Sequence, residues 1–230
     1  MLNAQIQTAL HFVYPPRCLG CGSIVDSDFG LCPTCWAQTE FIRGAKCSVC
    51  AAPLPGSAVV NDAICDGCLQ DPPPWKLGVA AVLYREKARG LVMGLKHGDR
   101  TEIAVPAAGW MALACKDIPT RNMLVVPIPL HWTRLLKRRY NQSALLAKAL
   151  AEKMDMPYSL DLLKRVRRTP SLDKMSPDAR HNVLTGSFDL TKKRAHLVAG
   201  GRPILLVDDV LTTGATLREA CRVLKDAGAG

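Results

Sequence analysis

The sequence predicts an α/β fold, a mainly parallel sheet with flanking helices, preceded by a small cysteine-rich module. Three observations carry this. Strand-like and helix-like patterns alternate through residues 78–230, the order that gives parallel strands joined by crossover helices. Eight of the ten cysteines fall in four C-x-x-C pairs before residue 70, a spacing that gathers metal. Between these regions, Asp71-Pro72-Pro73-Pro74-Trp75 is a stiff segment that reads as a boundary. With 230 residues, 48% of them apolar, the chain has room for one sizeable core and one small module. The expected organisation is an N-terminal helix and double ribbon over 1–70, a linker over 71–77, and the α/β domain over 78–230.

The cysteine pairs are Cys18 and Cys21, Cys32 and Cys35, Cys47 and Cys50, Cys65 and Cys68. Each pair offers two thiolates, and two pairs make the tetrahedral four-sulfur site that zinc prefers, so two structural Zn²⁺ are expected. Gly20, Gly22, Gly67 and Pro33 supply turn chemistry for short knuckles. Few apolar residues lie here, so metal would provide the missing folding free energy, on the order of 10 kcal/mol per site. A disulfide framework is the competing reading, disfavoured where thiols are kept reduced. Sequential pairing closes shorter loops than a crossed arrangement, but the spacing alone admits both. The module looks internally duplicated. Cys115 and Cys221 stand apart on apolar helical faces and read as buried small hydrophobes.

Beyond the linker, 79–84 reads as a strand, 86–96 and 101–116 as helices, and 123–128 as a buried strand. Asn141 is placed to cap a helix running through Leu145, Leu146, Leu150 and Met154. Weaker strand patterns cover 158–166 and 186–190. Ile204 to Val207 is an apolar run suited to a buried strand, and Leu217, Cys221 and Leu224 carry helical periodicity. Ligands of such folds sit at the carboxyl ends of the strands.

That edge holds the most informative stretch. Asp208 and Asp209 close the strand and are followed by Thr212-Thr213-Gly214-Ala215-Thr216. A loop running into a helix N-terminus turns backbone N–H groups and the positive dipole end towards an anion. Thr212, Thr213 and Thr216 add hydroxyl donors, and Gly214 lets the backbone approach closely. The two carboxylates could accept hydrogen bonds from vicinal ribose hydroxyls, so one strand–loop–helix unit could hold both ends of a ribose 5-phosphate.

The formal charge of +10 is uneven, because residues 134–202 carry 16 Lys/Arg against 6 Asp/Glu. A phosphorylated ligand or nucleic acid suits that excess, as does a merely solvated surface. No apolar run approaches a membrane span, and residues 1–11 lack the pattern of a secretory signal. A cytoplasmic location is therefore expected.

The stretch 204–216 closely resembles the phosphoribosyl pyrophosphate (PRPP) signature of type I phosphoribosyltransferases. Three further segments resemble one branch, the ComF family of competence-associated, phosphoribosyltransferase-like proteins. Val126-Pro127-Ile128-Pro129-Leu130-His131 with Arg134, Arg138, Asn141 and Gln142 is similar to its V-P-V-P-L-H…R…R-G-F-N-Q segment. Leu95-Lys96-His97-Gly98-Asp99 looks like its L-K-x-x-G-D element, and 165–182 like its R-x-x-x-T-P…R-x-x-N segment. A leading double zinc ribbon completes the likeness, which spans nearly the whole chain.

The resemblance implies a 5-phosphate under residues 212–216, ribose on Asp208 and Asp209, and Mg²⁺ arriving with PRPP. It also implies pyrophosphate facing the turn at 127–131, with Pro127, Pro129 and His131, and a closing loop over 167–177. Arg138, Arg167 and Arg168 are further cations for the diphosphate, together with Arg139 and Lys174. Departures are Arg139 where the family has Gly, Tyr140 for Phe, Leu172 for a loop Gln and Met175 for Leu. The chain stops at Gly230 where the family continues into one further strand, so a missing last strand is expected. Two functions remain open. One is a phosphoribosyltransferase-like protein, linked by resemblance to DNA uptake, that binds PRPP or a related phosphosugar and displaces pyrophosphate. The other is a non-catalytic competence factor on the same scaffold, binding single-stranded DNA or DNA-uptake proteins. No base-recognition hood is evident, so the acceptor stays open.

Overall fold

The computed structural model describes residues 14–26, 30–56, 62–169 and 183–230. The N-terminal helix expected at the start, and the loop residues Leu172, Lys174, Met175, Arg180 and Asn182, lie outside the described residues. None of the described helices is long and apolar enough to cross a membrane.

Two short helices, α1 (Pro33–Ala37) and α2 (Asp66–Gln70), belong to the cysteine-rich module. The α/β part contains α3 (Glu86–His97), a 3₁₀ turn (Thr101–Ile103), α4 (Ala104–Ala114), β1 (Leu124–Pro127), α5 (Trp132–Arg138) and α6 (Gln142–Lys153). It continues through β2 (Leu163–Arg165), β3 (Phe188–Leu190), a second 3₁₀ turn (Lys192–Leu197), β4 (Ile204–Val207) and α7 (Ala215–Asp226).

β1 and β4 pair in parallel, Leu124 opposite Ile204 and Pro127 opposite Val207, and Tyr158 adds a parallel bridge to Val125. β2 and β3 form a separate antiparallel pair. Alternate residues of a strand face opposite sides, and the core follows that rule. Val125 and Val207 pack with Ala108, Leu146, Ala147 and Leu150 of α4 and α6. Leu124 and Val126 pack on the other side with Phe188, Val198, Ala220 and Leu224. Helices therefore pack on both faces of the pair, β1 being buried throughout and β4 fully only at Val207, and fully burying such a Val or Leu stabilises the fold by about 1.5–3 kcal/mol. Asn141 caps α6 as expected, its Oδ1 accepting from the Ser143 amide at 3.1 Å.

Four elements differ from the sequence reading. Residues 79–84 form no strand of the sheet; Val82 makes a single antiparallel bridge to Phe41, with Ile42 N–H bonded to Ala81 O and Leu83 N–H to Glu40 O. Its apolar run meets the ribbon instead of the sheet. The helix expected over 101–116 begins as a 3₁₀ turn and becomes α only at Ala104. Pro106 has no N–H and is tolerated in a first turn, not an interior. Within 158–166 only Leu163–Arg165 is strand, and within 186–190 only Phe188–Leu190.

The proline-rich segment is packed on both sides. Arg218 of α7 donates to the carbonyls of Pro72 and Asp71 at 3.1 and 2.8 Å, and Cys221 Sγ lies 3.4 Å from Pro74 O. The module also touches the helices: Leu19 shares a buried cluster with Leu91 and Ile103, and Arg100 donates to Leu19 O at 2.9 Å. Trp36 and Phe41 meet Trp110 of α4 edge-on.

Candidate functional site

Parallel pairing of β1 with β4 brings their carboxyl ends side by side, and Ile128 N–H extends the ladder to Val207 O at 2.9 Å. The turn at 127–131 and the loop at 208–214 thus share one edge. A hollow there is lined by Asp208 and residues 210–217. Gly214, with φ of +73°, precedes the first turn of the twelve-residue α7; a left-handed conformation here favours glycine. Thr212 and Thr213 are exposed, whereas Gly214 and Ala215 are buried.

The acid pair is held from three directions. Asp208 Oδ1 accepts from Ser143 Oγ of α6 and from the Asp209 amide, both at 2.9 Å. Lys96 at the end of α3 reaches Asp209 Oδ1 at 3.1 Å. Burial, and then the adjacent Asp209 charge, push the Asp208 carboxyl up to about 7, against those two donors and Lys96. Asp209 Oδ2 is buried and has no hydrogen-bond partner. A buried acceptor without a donor is costly and calls for an explanation.

The turn at 127–131 is built as a support. Pro127, Ile128 and Pro129 are buried, and Asn141 Nδ2 donates to Ile128 O at 3.0 Å. His131 is also buried, with Nδ1 2.9 Å from Thr133 Oγ1 at the start of α5. Arg138 donates to Gln142 Oε1 at 3.2 Å. Arg167 bonds the carbonyls of Val183 and Thr185, both at 2.7 Å. Arg168 is exposed.

Two cations emerge that spacing did not single out as ligand contacts. Arg165 stacks over Phe188, donates to Thr169 Oγ1, and leaves Nε buried without a partner. Arg134 donates to the carbonyl of the same Thr169 at 2.8 Å. Burial and then the Arg134 charge bring the Arg165 guanidinium down to about 10, while Asp208 acts in the opposite sense. Two like charges gathered beside the acid pair suit a polyanion. Lys96 and Arg165 both lay in quoted segments, but only the folded chain shows what they face.

In the N-terminal module the cysteines form two clusters, Cys18 with Cys21, Cys32 and Cys35, and Cys47 with Cys50, Cys65 and Cys68, the sulfurs of each within 4.8 Å of one another. This is the sequential pairing. Cys21 and Cys32 sulfurs are 3.7 Å apart, and those of Cys50 and Cys65 3.6 Å, close to the edge of about 3.8 Å that a tetrahedron with Zn–S of about 2.3 Å requires. The knuckles repeat: Cys18 N–H bonds Ser23 O as Cys47 N–H bonds Ala52 O, and Gly22 and Ala51 occupy equivalent left-handed positions. Burial opposes ionisation at Cys18, but amides of Cys32, Gly20 and Cys21 outweigh it and bring the thiol down to about 6. Cys47 is brought to about 6 in the same way by Cys65, Cys50 and Val49 amides. The donor sets fit structural zinc.

Residues 9–69 match the model of the double zinc ribbon domain, and residues 141–230 that of the phosphoribosyl transferase domain. The chain is 30% identical over 218 residues to competence protein F of Haemophilus influenzae, covering 92% of each. The chain belongs to the ComF family. Other relatives are the DNA utilization protein YhgH of Salmonella typhi, 32% identical over 88% of this chain and 87% of that one, and competence protein ComFC of Bacillus subtilis, 27% identical over 89% and 82%. Its Gly214 loop and acid pair lie inside the phosphoribosyl transferase match, while Lys96 and the turn at 127–131 precede it.

Proposed function

We propose that this ComF-family protein binds a 5-phosphorylated ribose, PRPP or a related phosphosugar, at the shared edge of β1 and β4. The observation that carries this is the hollow at the start of α7, lined by Asp208 and residues 210–217, where a carboxylate meets the left-handed Gly214 and a helix N-terminus. A ribose hydroxyl supplies the donor that Asp209 Oδ2 lacks once the carboxylate turns towards the hollow, since that oxygen is closed to solvent here. Residues 212–216 then receive the 5-phosphate through backbone N–H groups and Thr hydroxyls, and Asp208 takes the second hydroxyl. Pyrophosphate falls towards the turn at 127–131, with Arg165 and Arg134 balancing its charge.

In the reaction of this class, pyrophosphate leaves the anomeric carbon through an oxocarbenium-like state. The chain's part is to position the ribose and to stabilise the departing charge rather than to supply a strong base. Magnesium arriving with PRPP would screen the diphosphate, and the acid pair offers the hard oxygen donors such an ion takes. Eight paired thiolates suit a reducing cytoplasm.

Titration calorimetry with ribose 5-phosphate, PRPP and inorganic phosphate tests the reading. Asp208→Asn/Asp209→Asn should lower ribose 5-phosphate affinity ten- to a hundredfold and leave phosphate binding no weaker. Gly214→Val should weaken both. A wild-type chain that binds neither sugar phosphate overturns the proposal.

A second reading, single-stranded DNA binding, draws on α5. Trp132 is 62% exposed and Leu136 72% exposed, and Lys137 and Arg138 occupy the last turn. An exposed ring among cations is the composition that stacks bases and tracks a phosphate backbone. The relatives named for competence and DNA utilization are consistent with it.

A further inference from the structure

Trp75 is the residue at which the second cysteine cluster meets the phosphate loop. Its indole N–H donates to Val49 O at 2.7 Å, and Val49 lies in the knuckle between Cys47 and Cys50. The far edge of the ring lies over Gly214: a Cβ on that glycine would stand 2.9 Å from Trp75 Cη2 and 3.7 Å from Cζ2. Side chains do not normally approach so closely, so ring and glycine fit only because the glycine is bare. One further contact fixes the indole and another fixes the segment that carries it. Arg218 of α7 lies over its face at 5.8 Å while bonding Asp71 and Pro72, and Gly78 N–H donates to Ser48 O at 2.9 Å. Gly78 also leaves no space for a side chain, since a Cβ there would run into the Val49 carbonyl. Knuckle, linker and phosphate loop are thus in contact from one end to the other.

The geometry points to Trp75 as a positioning residue for the phosphate loop, held in place by the second zinc knuckle. The ribbon then does more than fold. It fixes the backbone at Gly214, where the proposed phosphate loop enters its helix, and metal at Cys47, Cys50, Cys65 and Cys68 is coupled to phosphosugar affinity. The affinity part rests on the proposed function; the mechanical part does not.

The mechanism makes Trp75 act in two separable ways, through ring contact and through the indole N–H. Trp75→Phe keeps an aromatic ring near Gly214 and deletes the donor to Val49, whereas Trp75→Ala removes both. Amide hydrogen exchange on ligand-free protein is the primary measurement. Exchange across 212–216 should quicken about tenfold in Trp75→Ala and by a smaller factor in Trp75→Phe. Residues 124–127 should be unchanged and zinc content should stay near two per chain. If Trp75→Ala does not fold, Trp75→Phe decides alone. Cys50→Ser should also quicken exchange at 212–216, by releasing the knuckle. Calorimetry then reads function: ribose 5-phosphate affinity should fall five- to tenfold in Trp75→Phe. Unaltered exchange at 212–216 in Trp75→Phe and Cys50→Ser overturns the coupling, whatever the wild type binds. Wild-type protein that binds no sugar phosphate, with exchange responding as stated, removes the functional reading and keeps Trp75 as the loop's mechanical support.

Discussion

Lys96 Nζ stands 3.1 Å from Asp209 Oδ1, and the Asp209 side chain is only 6% exposed. An amine from the end of α3 thus reaches a carboxylate at the end of β4, joining two segments more than a hundred residues apart. Removing one member of a buried pair is costly, about 3–5 kcal/mol in general. The partial exposure of Lys96 places Lys96→Met at about 2–4 kcal/mol of lost stability. Adding Asp209→Asn should restore part of it, giving a coupling of at least about 1 kcal/mol in urea unfolding. Strictly additive losses would show that the contact contributes nothing.

Asp208 makes stability depend on pH. Its folded value, about 7, lies above the ordinary carboxyl value of about 3.9. The folded chain therefore holds this proton more tightly than the unfolded chain. The resulting penalty is absent below about pH 4, grows between 4 and 7, and is complete above 7. Asp208→Asn keeps an oxygen for Ser143 and the Asp209 amide while removing the charge. Its stability gain over wild type should be larger at pH 8 than at pH 5 by roughly 1–3 kcal/mol. Urea unfolding at the two pH values checks this, and a gain independent of pH contradicts it.

Arg139 ends α5 with φ of +67°, a left-handed conformation that costs a side-chain-bearing residue about 1–2 kcal/mol. The resemblance implies Gly here, and the left-handed backbone gives a reason for one. Arg139→Gly should stabilise the protein by about 0.5–1 kcal/mol once the greater entropy of unfolded glycine is subtracted. Arg139→Ala keeps the strain and should give no gain. Equal midpoints for the Gly and Ala variants would locate the effect in the lost charge instead.

Metal analysis of reduced protein should find about two zinc ions per chain, one for each four-sulfur cluster. Separate cores would let Cys32→Ser unfold the ribbon and spare the α/β domain. The burial of Leu19 against Leu91 and Ile103 predicts otherwise. Losing that contact should cost the α/β domain about 1.5–3 kcal/mol, read as a lower melting temperature for exchange-protected β1. An unchanged β1 melt would mean the ribbon gives it no support.

If α5 carries single-stranded DNA, affinity should fall with salt at a slope of roughly −0.7 per phosphate contacted. Trp132→Ala should weaken binding by about 1–3 kcal/mol through lost stacking, and Lys137→Glu with Arg138→Glu should flatten the salt slope. Anisotropy titrations insensitive to all three changes exclude α5 as the DNA surface.

The parts legible in the sequence are those whose signal is local. Ile204–Val207 is recovered to the residue because the acid pair and Thr/Gly loop bound the strand. The C-x-x-C pairs sit together because chelation geometry is set by short spacings. Residues 79–84 misled because their apolar run is real but is met by the ribbon, through the bridge from Val82 to Phe41. Helix α5 has Trp132, Leu135 and Leu136 at helical spacing, yet all three are exposed, so its pattern answers to no core. Lys96 and Ser143 meet the acid pair only through tertiary packing, and no spacing rule could have collected them.

The aromatic residues of the ribbon seams have a consequence for spectroscopy. Of the four tryptophans, Trp36 and Trp110 meet around Phe41 with centroids 4.4–6.5 Å apart, and Trp75 bridges Val49 and Gly214. Only Trp132 stands away from the cysteine-rich module. Intrinsic emission from this chain is therefore dominated by the junction between its two halves. An optical melt would record the parting of ribbon from α/β domain, and would be silent on the survival of the β1–β4 core beneath it.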